Sequence, residues 1–193
     1  MVNMYKLKLT NLQQEILRLL FTKAGILLNA RNIAKALEVS QPAVSKALPL
    51  LQKKDFIIIK KDKESKRLSI EINRDNPLVI ELKRVDNLKQ IYESGLSKYL
   101  YNSFPGATII LFGSYSFGED TIKSDIDIAI ISGSEKDLRL EIFEKLLERK
   151  IIINYYKSFK EIRNELLNNI LNGITLKGAV DLWVLKVLKW KLI

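Results

Sequence analysis

The stretch from Leu111 to Ile130, LFGSYSFGEDTIKSDIDIAI, constrains this chain more than any other segment. An apolar run ends on Gly113-Ser114, a second glycine follows at Gly118, and Asp125-Ile126-Asp127-Ile128 opens another apolar run. Residues two apart on a strand share a face. The spacing therefore predicts that Asp125 and Asp127 point one way while Ile126 and Ile128 enter a core. Two adjacent carboxylates repel, and a divalent cation is the common relief. The plainer alternative is a solvated strand edge. It is disfavoured because the flanking isoleucines call for a buried strand, where acids are rarely left unpaired. A calcium loop of the EF-hand kind lacks its required glycine and ligand spacing here. Gly113 has no Cβ and lets a backbone approach a ligand closely. The N–H groups of the following turn, with the Ser114 hydroxyl, suit a triphosphate.

Composition narrows the chemistry. The 193 residues include no Cys and no His. That excludes disulfides, zinc-thiolate sites, a cysteine nucleophile and a Ser-His-Asp triad. Any bound metal must be held by oxygen, which favours magnesium, manganese or calcium. The N-terminus lacks the apolar stretch of a signal peptide, and no window of about twenty residues is free of charge. A cytoplasmic protein with no membrane partner is expected. The net charge is +10, and it is unevenly spread: residues 1–76 hold 15 basic and 7 acidic side chains, residues 77–193 hold 17 and 15. A nucleic-acid partner is therefore sought first in the N-terminal part.

There the apolar spacing predicts helices over 11–23, 31–37 and 41–54. Thr10 or Asn11 caps the first and Ser40 the third, and Pro49 should bend or shorten the third. Strands 56–60 and 67–72 flank a charged turn. Three helices and a basic hairpin make a winged helix-turn-helix over 1–76. A helical connector, 77–104, leads to a second domain over 105–178. Its predicted elements are strand 108–112, a short helix after Gly113, strand 125–131, helix 135–150, strand 151–156, helix 159–171 and strand 174–176. The overall class is α+β, a winged helix followed by a small mixed sheet. The tail, 179–193, is apolar with Lys186, Lys189 and Lys191, and Trp183, Val187 and Trp190 fall roughly on one helical face. It reads as a docking or dimerisation helix, with a membrane-surface helix as the alternative.

Phe112-Gly113-Ser114, the spacer and Asp125-Ile126-Asp127, with Asn172-Gly173-Ile174-Thr175-Leu176 near the end, resemble the minimal nucleotidyltransferase family of the DNA polymerase β superfamily. The resemblance covers roughly residues 96–178. It implies transfer of a nucleoside monophosphate from an NTP to a hydroxyl, with Mg²⁺ or Mn²⁺ as cofactor. Asp125 and Asp127 would be the catalytic metal ligands, and Gly113 and Ser114 would contact the phosphates. Ser124 would cap or orient the turn before the acids, or is simply a turn serine. The family places a third carboxylate on the next strand. Here the nearest polar residue is Asn154, whose amide can ligate a metal but cannot take a proton; Glu148 is expected on the preceding helix. Phe117 stands where the family often has Arg. These departures keep open a degenerate, nucleotide-sensing or dimerising domain in a transcriptional regulator. The family also includes antitoxin-like partners of helical toxins. The N-terminal part resembles winged-helix DNA-binding proteins. That implies groove contacts from Gln41, Ser45 and Lys46 and a wing of Lys60, Lys61, Lys63, Lys66 and Arg67 on duplex DNA. A homodimer reading paired half-sites follows by the same analogy.

Overall fold

The computed structural model describes residues 9–61 and 68–180, which form two compact units divided after Ile80. In the first, α1 (Asn11–Thr22), α2 (Ala30–Ala36) and α3 (Gln41–Lys53) precede the antiparallel hairpin β1 (Ile57–Lys61) and β2 (Leu68–Ile72). Side chains satisfy the helix starts. Thr10 and Gln13 exchange hydrogen bonds in a capping box, Asn29 and Asn32 do the same, and the Ser40 hydroxyl accepts from the Ala43 N–H. Ile16, Leu20, Ile33, Val44, Leu51, Ile57 and Ile70 form the core. Buried Gln13 donates to the Ala47 carbonyl at 3.2 Å, tying α1 to α3. Leu28 makes an isolated antiparallel bridge to Ile70 at the edge of this two-stranded sheet. Helices, turn and hairpin together are a winged helix-turn-helix. Pro49 does not shorten α3. Its ring faces solvent, while Val44, Ala47, Leu48 and Leu51 pin both halves of the helix to the core.

The second unit contains most of α4 (Pro77–Glu93) and then α5 (Leu96–Ser103), β3 (Thr108–Phe112), α6 (Gly113–Phe117), β4 (Ile126–Ile131), α7 (Glu141–Leu147), β5 (Ile151–Tyr156), α8 (Asn164–Leu171) and β6 (Ile174–Lys177). The sheet order is β5-β4-β3-β6. The strand β3 runs antiparallel to both neighbours, and β4 is parallel to β5. Alternation sorts the side chains. Ile109, Leu111, Ile126, Ile128 and Ile130 pack on one face with Ile91, Leu96, Leu100 and Leu147, while Ile110, Phe112 and Ala129 meet Leu167 and Ile170 of α8 on the other. Gly173 permits the sharp return into β6, because a Cβ there would collide with the Leu111 carbonyl.

Two predicted helices are shorter than their periodicity suggests. Residues 132–140 form no helix, because side chains from elsewhere take their backbone groups. The Tyr155 hydroxyl donates to the Lys136 carbonyl at 2.8 Å, and the Arg139 N–H donates to the Tyr99 hydroxyl at 3.0 Å. Only the last part, α7, is helical. The helix expected over 159–171 is interrupted at Ile162, which is extended and buried between a 3₁₀ turn, Phe159–Glu161, and α8. Of the tail helix expected over 179–193, residues 181–193 lie outside the described residues. Among the described residues, no helix is long and apolar enough to cross a membrane.

Candidate active site

The end of β3 and the start of β4 build the site. Phe112, the last residue of β3, pairs with Asp127, so Gly113 lies directly against that acid. Gly113 has φ +73°, and a Cβ there would stand 2.7 Å from Asp127 Oδ2. Both conformation and space demand glycine. Ser114, half-buried, occupies the second position of α6. The short helix closes on Gly118, and Glu119 donates its N–H to the Ser114 carbonyl at 3.0 Å. Asp125 is exposed one residue before β4; Asp127 is half-buried within it. The two are close enough to interact: burial, and then the Asp125 charge, raise the Asp127 pKa above its ordinary value. Ser124 closes the turn leading into β4. Its hydroxyl accepts from the Thr121 N–H at 3.0 Å, and its own N–H donates to the Thr121 carbonyl at 3.0 Å.

The parallel register decides what faces the acids from β5. Asp127 is level with Ile152, and Ala129 is level with Asn154. In-register residues point to one face, so Asn154 lies about 6.6 Å farther along the strand than the level of Asp127. The place opposite Asp127 belongs to Ile152, which is 41% exposed. Among the described residues no group of three or more acids could hold a metal. Glu148 is not within α7 as expected. It caps the helix in the left-handed region, φ 52°, and lines an open pocket of about 450 Å³ with Asp125, Lys123 and Lys150.

A buried polar cluster braces this arrangement. Asp120, 1% exposed, accepts from Lys83 Nζ, from Asn87 Nδ2 at 2.7 Å and from Arg149 at 3.3 Å. Asn87 also donates to the Tyr115 carbonyl of α6 at 2.9 Å. The cluster therefore fastens α6 and the loop before Asp125 to α4 and to the start of β5. Sequence reasoning passed over it. The available signal was that Val79, Lys83, Asn87 and Ile91, four apart on the inward face of α4, place two polar residues where the period demands apolar ones. Arg84 of the same helix lies over the Phe117 ring, 5.9 Å from its centre.

In the first unit, Gln41, Ser45 and Lys46 are all on the exposed side of α3. Lys60 and Lys61 are exposed on β1, and Lys60 pairs across the hairpin with Glu71 at 3.1 Å. Lys63, Lys66 and Arg67 lie outside the described residues.

The site allows two checks. Gly113→Ala should lower stability by about 1–3 kcal/mol through strain and displace Asp127, read as a lower melting temperature together with weaker Mn²⁺–NTP binding. Because the folded pKa of Asp127 is raised, the folded chain holds its proton more readily than the unfolded one. This group thus favours folding at low pH and opposes it as pH rises through its folded pKa. A cation held by Asp127 would have to displace that proton, so any Mn²⁺ affinity should fall as pH drops through the same range. Removing the neighbouring charge with Asp125→Asn should lower the Asp127 pKa, as followed by carboxyl NMR titration.

Residues 93–174 match the family model described as "Nucleotidyltransferase domain". A curated relative from Methanocaldococcus jannaschii, described provisionally as a protein adenylyltransferase, is 39% identical over 61 residues. That match takes in 31% of this chain and 61% of the relative, so this chain spans about three fifths of the relative's length. Among solved structures, the adhesin competence repressor AdcR of Streptococcus pyogenes is 30% identical across 50% of this chain and 69% of its own, with a TM-score of 0.40. A variant of Lactococcus lactis ZitR is 27% identical across 51% and 64%, with a TM-score of 0.37. The segment 93–174, which contains the Gly-Ser turn and the paired acids, matches the nucleotidyltransferase domain family.

Proposed function

We propose that this chain is a duplex-DNA-binding protein whose C-terminal unit binds a nucleoside triphosphate together with Mg²⁺ or Mn²⁺, and that it passes the nucleoside monophosphate to a hydroxyl only slowly. The observation that carries this reading is the pairing of Gly113 against Asp127 while Ile152 stands in register with that acid. The donor set fits a hard cation: two carboxylates, close enough for one to raise the pKa of the other, and no softer ligand. Asp125 and Asp127 would hold it. When bound, the cation neutralises triphosphate charge and orients the phosphates.

The chain's own residues do the rest. The absent Cβ of Gly113 leaves room for the Asp127 carboxylate beside the start of α6, where the Ser114 hydroxyl would meet the phosphates. The Asp120 cluster keeps α6 and the Asp125 turn in fixed relation. In transfer, the acceptor oxygen would form a bond to the α-phosphorus, the bond to the bridging oxygen would break, and pyrophosphate would leave. The acceptor's proton needs a base, and the face opposite Asp127 presents the hydrocarbon of Ile152. That favours nucleotide binding, and regulation through it, over rapid turnover.

Calorimetry with Mn²⁺ and non-hydrolysable NTPs tests binding. Saturable binding that disappears in Asp127→Ala is expected; equal binding by the variant would sink the reading. The DNA half stands on exposed Gln41, Ser45 and Lys46 and on the basic excess of residues 1–76. Affinity for duplex DNA should fall steeply with salt. Lys61→Ala should reduce the slope of log K against log salt by about 0.9, the value for one phosphate contact. Binding indifferent to salt would exclude this role.

A further inference from the structure

The strand β5 bonds to a neighbour on one side only. The Lys150 carbonyl accepts from the Ile126 N–H at 2.8 Å, and the Tyr156 carbonyl accepts from the Ser132 N–H at 2.9 Å. Even-numbered residues of β5 therefore bond to β4, and odd-numbered ones turn their N–H and carbonyl groups outward. Side chains close both ends of that outer side. The Ile151 N–H donates to Glu144 Oε1 at 3.0 Å, and the Lys157 N–H donates to Glu161 Oε2 at 3.3 Å. Between them, the outward groups of Ile153 and Tyr155 have no hydrogen-bond partner among the described residues. The opposite edge of the sheet is blunted: β6 is shorter, shifts register against β3 and ends on Lys177. By contrast β5 is regular along its length, holds neither charge nor proline, and is rich in β-branched and aromatic residues. Such an edge is built to accept one more strand.

The strand's own sequence selects its partner. Ile152-Ile153-Asn154-Tyr155-Tyr156 sets isoleucines before Asn154 and tyrosines after it. Consider two β5 strands, antiparallel, with a two-fold axis at Asn154. Ile153 of each copy is then level with Tyr155 of the other, and the two exchange both of their backbone bonds. Ile152 is level with Tyr156 on the other face. Each of these pairs sets a β-branched side chain against an aromatic one, a favoured combination. The two Asn154 residues meet on the axis at a position without backbone bonds, where side chains approach closest. An amide both donates and accepts, so it complements its own copy. The half-buried Asn154 side chain makes no hydrogen bond to another described residue. Farther out, Lys150 falls level with Ser158 and Lys157 with Ile151, so no like charges oppose. We propose that the open edge of β5 is a self-association surface, occupied by β5 of a second copy in this register, so that two four-stranded sheets become one. A two-fold interface requires a surface of this kind, in which each residue finds its complement on the same patch.

The test follows the full chain by light scattering across a dilution series and by amide hydrogen exchange, with circular dichroism as the folding control. A dimer is expected in which the Ile153 and Tyr155 amides exchange slowly, and dilution to the monomer should make them fast. Asn154→Lys and Asn154→Glu each set two like charges on the axis and should raise the dissociation constant at least about 100-fold. An equimolar mixture of the two variants should dimerise again, because each lysine then meets a glutamate. That restoration requires residue 154 to lie opposite itself, which a merely structural role would not produce. A monomer at every concentration, a dimer that both variants leave intact, or variants that stay monomeric when mixed overturns the proposal. So do Ile153 and Tyr155 amides that exchange fast in the dimer, or slowly in the monomer, where another part of the same chain would then fill the edge. If either variant fails to fold, the natural chain's amide exchange against dilution decides the matter alone.

Discussion

Asp120→Ala should cost the C-terminal unit about 3–5 kcal/mol, the largest stability effect expected of any single change outside the apolar core. Asp120 is the common acceptor for Lys83, Asn87 and Arg149, and both cations have side chains only 1% exposed. Each cation left water on folding, and hydrogen-bonded contact with this carboxylate offsets part of that cost. Deleting the carboxylate takes a shared acceptor from three donors at once, whereas deleting one donor leaves the acid with the others. Lys83→Met should therefore be much milder than Asp120→Ala, with its chain length retained and Asn87 and Arg149 still in place. Urea unfolding followed by circular dichroism measures both. Equal costs, or a mild effect of Asp120→Ala, would mean that the cluster is not organised around this acid. Since Asn87 also holds the Tyr115 carbonyl, any partly folded Asp120 variant should bind Mn²⁺–NTP poorly as well.

Ile152→Asp should increase nucleotidyl transfer by about 10²-fold over the natural chain, the lower range for adding a placed general base. Ile152 is level with Asp127 on the same face and partly open to solvent, so the new carboxylate can be accommodated without burying an unpaired charge. Asn154→Asp, two residues along, should do far less, because its side chain is level with Ala129. Labelled NTP with Mn²⁺ and a mixture of hydroxyl-bearing acceptors, including the protein itself, gives the readout. If both variants are equally inert, the face opposite Asp127 is not where the acceptor's proton departs. If Asn154→Asp alone gains activity, the relevant level of the sheet is one repeat farther along.

These two substitutions mark where sequence reasoning works and where it stops. The alternation of Ile126, Asp127 and Ile128 has a period of two, so which residues face the core is written locally, and the sheet agrees. Gly113 was legible for the same reason, because a glycine between a buried strand and a helix answers to neighbours adjacent in the chain. The partner of Asp127 on β5 was not legible. Strand register depends on how a distant segment docks, and a two-residue displacement keeps every side chain on its proper face. Hence Asn154, the polar choice, stood in the reading where Ile152 stands in the fold. The Asp120 cluster is nonlocal in the same way, assembled from α4, the loop after α6 and the residue before Lys150. The shortened α7 shows a third case: residues 135–140 were expected to be helical, yet Tyr155 and Tyr99 offer their backbone better partners.

The central strand β3 has a kinetic consequence. Its partner on one side, β4, follows shortly in the chain, but its other partner, β6, pairs Leu111 with Ile174, more than sixty positions later. Closing so long a loop spends chain entropy before any ladder bond repays it, which makes this the slow step of assembly. On the ribosome, β3, β4 and β5 can gather early, while one edge of β3 waits for Ile174–Lys177 to emerge. Until then that edge is a template for any other strand, so the speed of its final docking should govern how much newly made chain escapes aggregation.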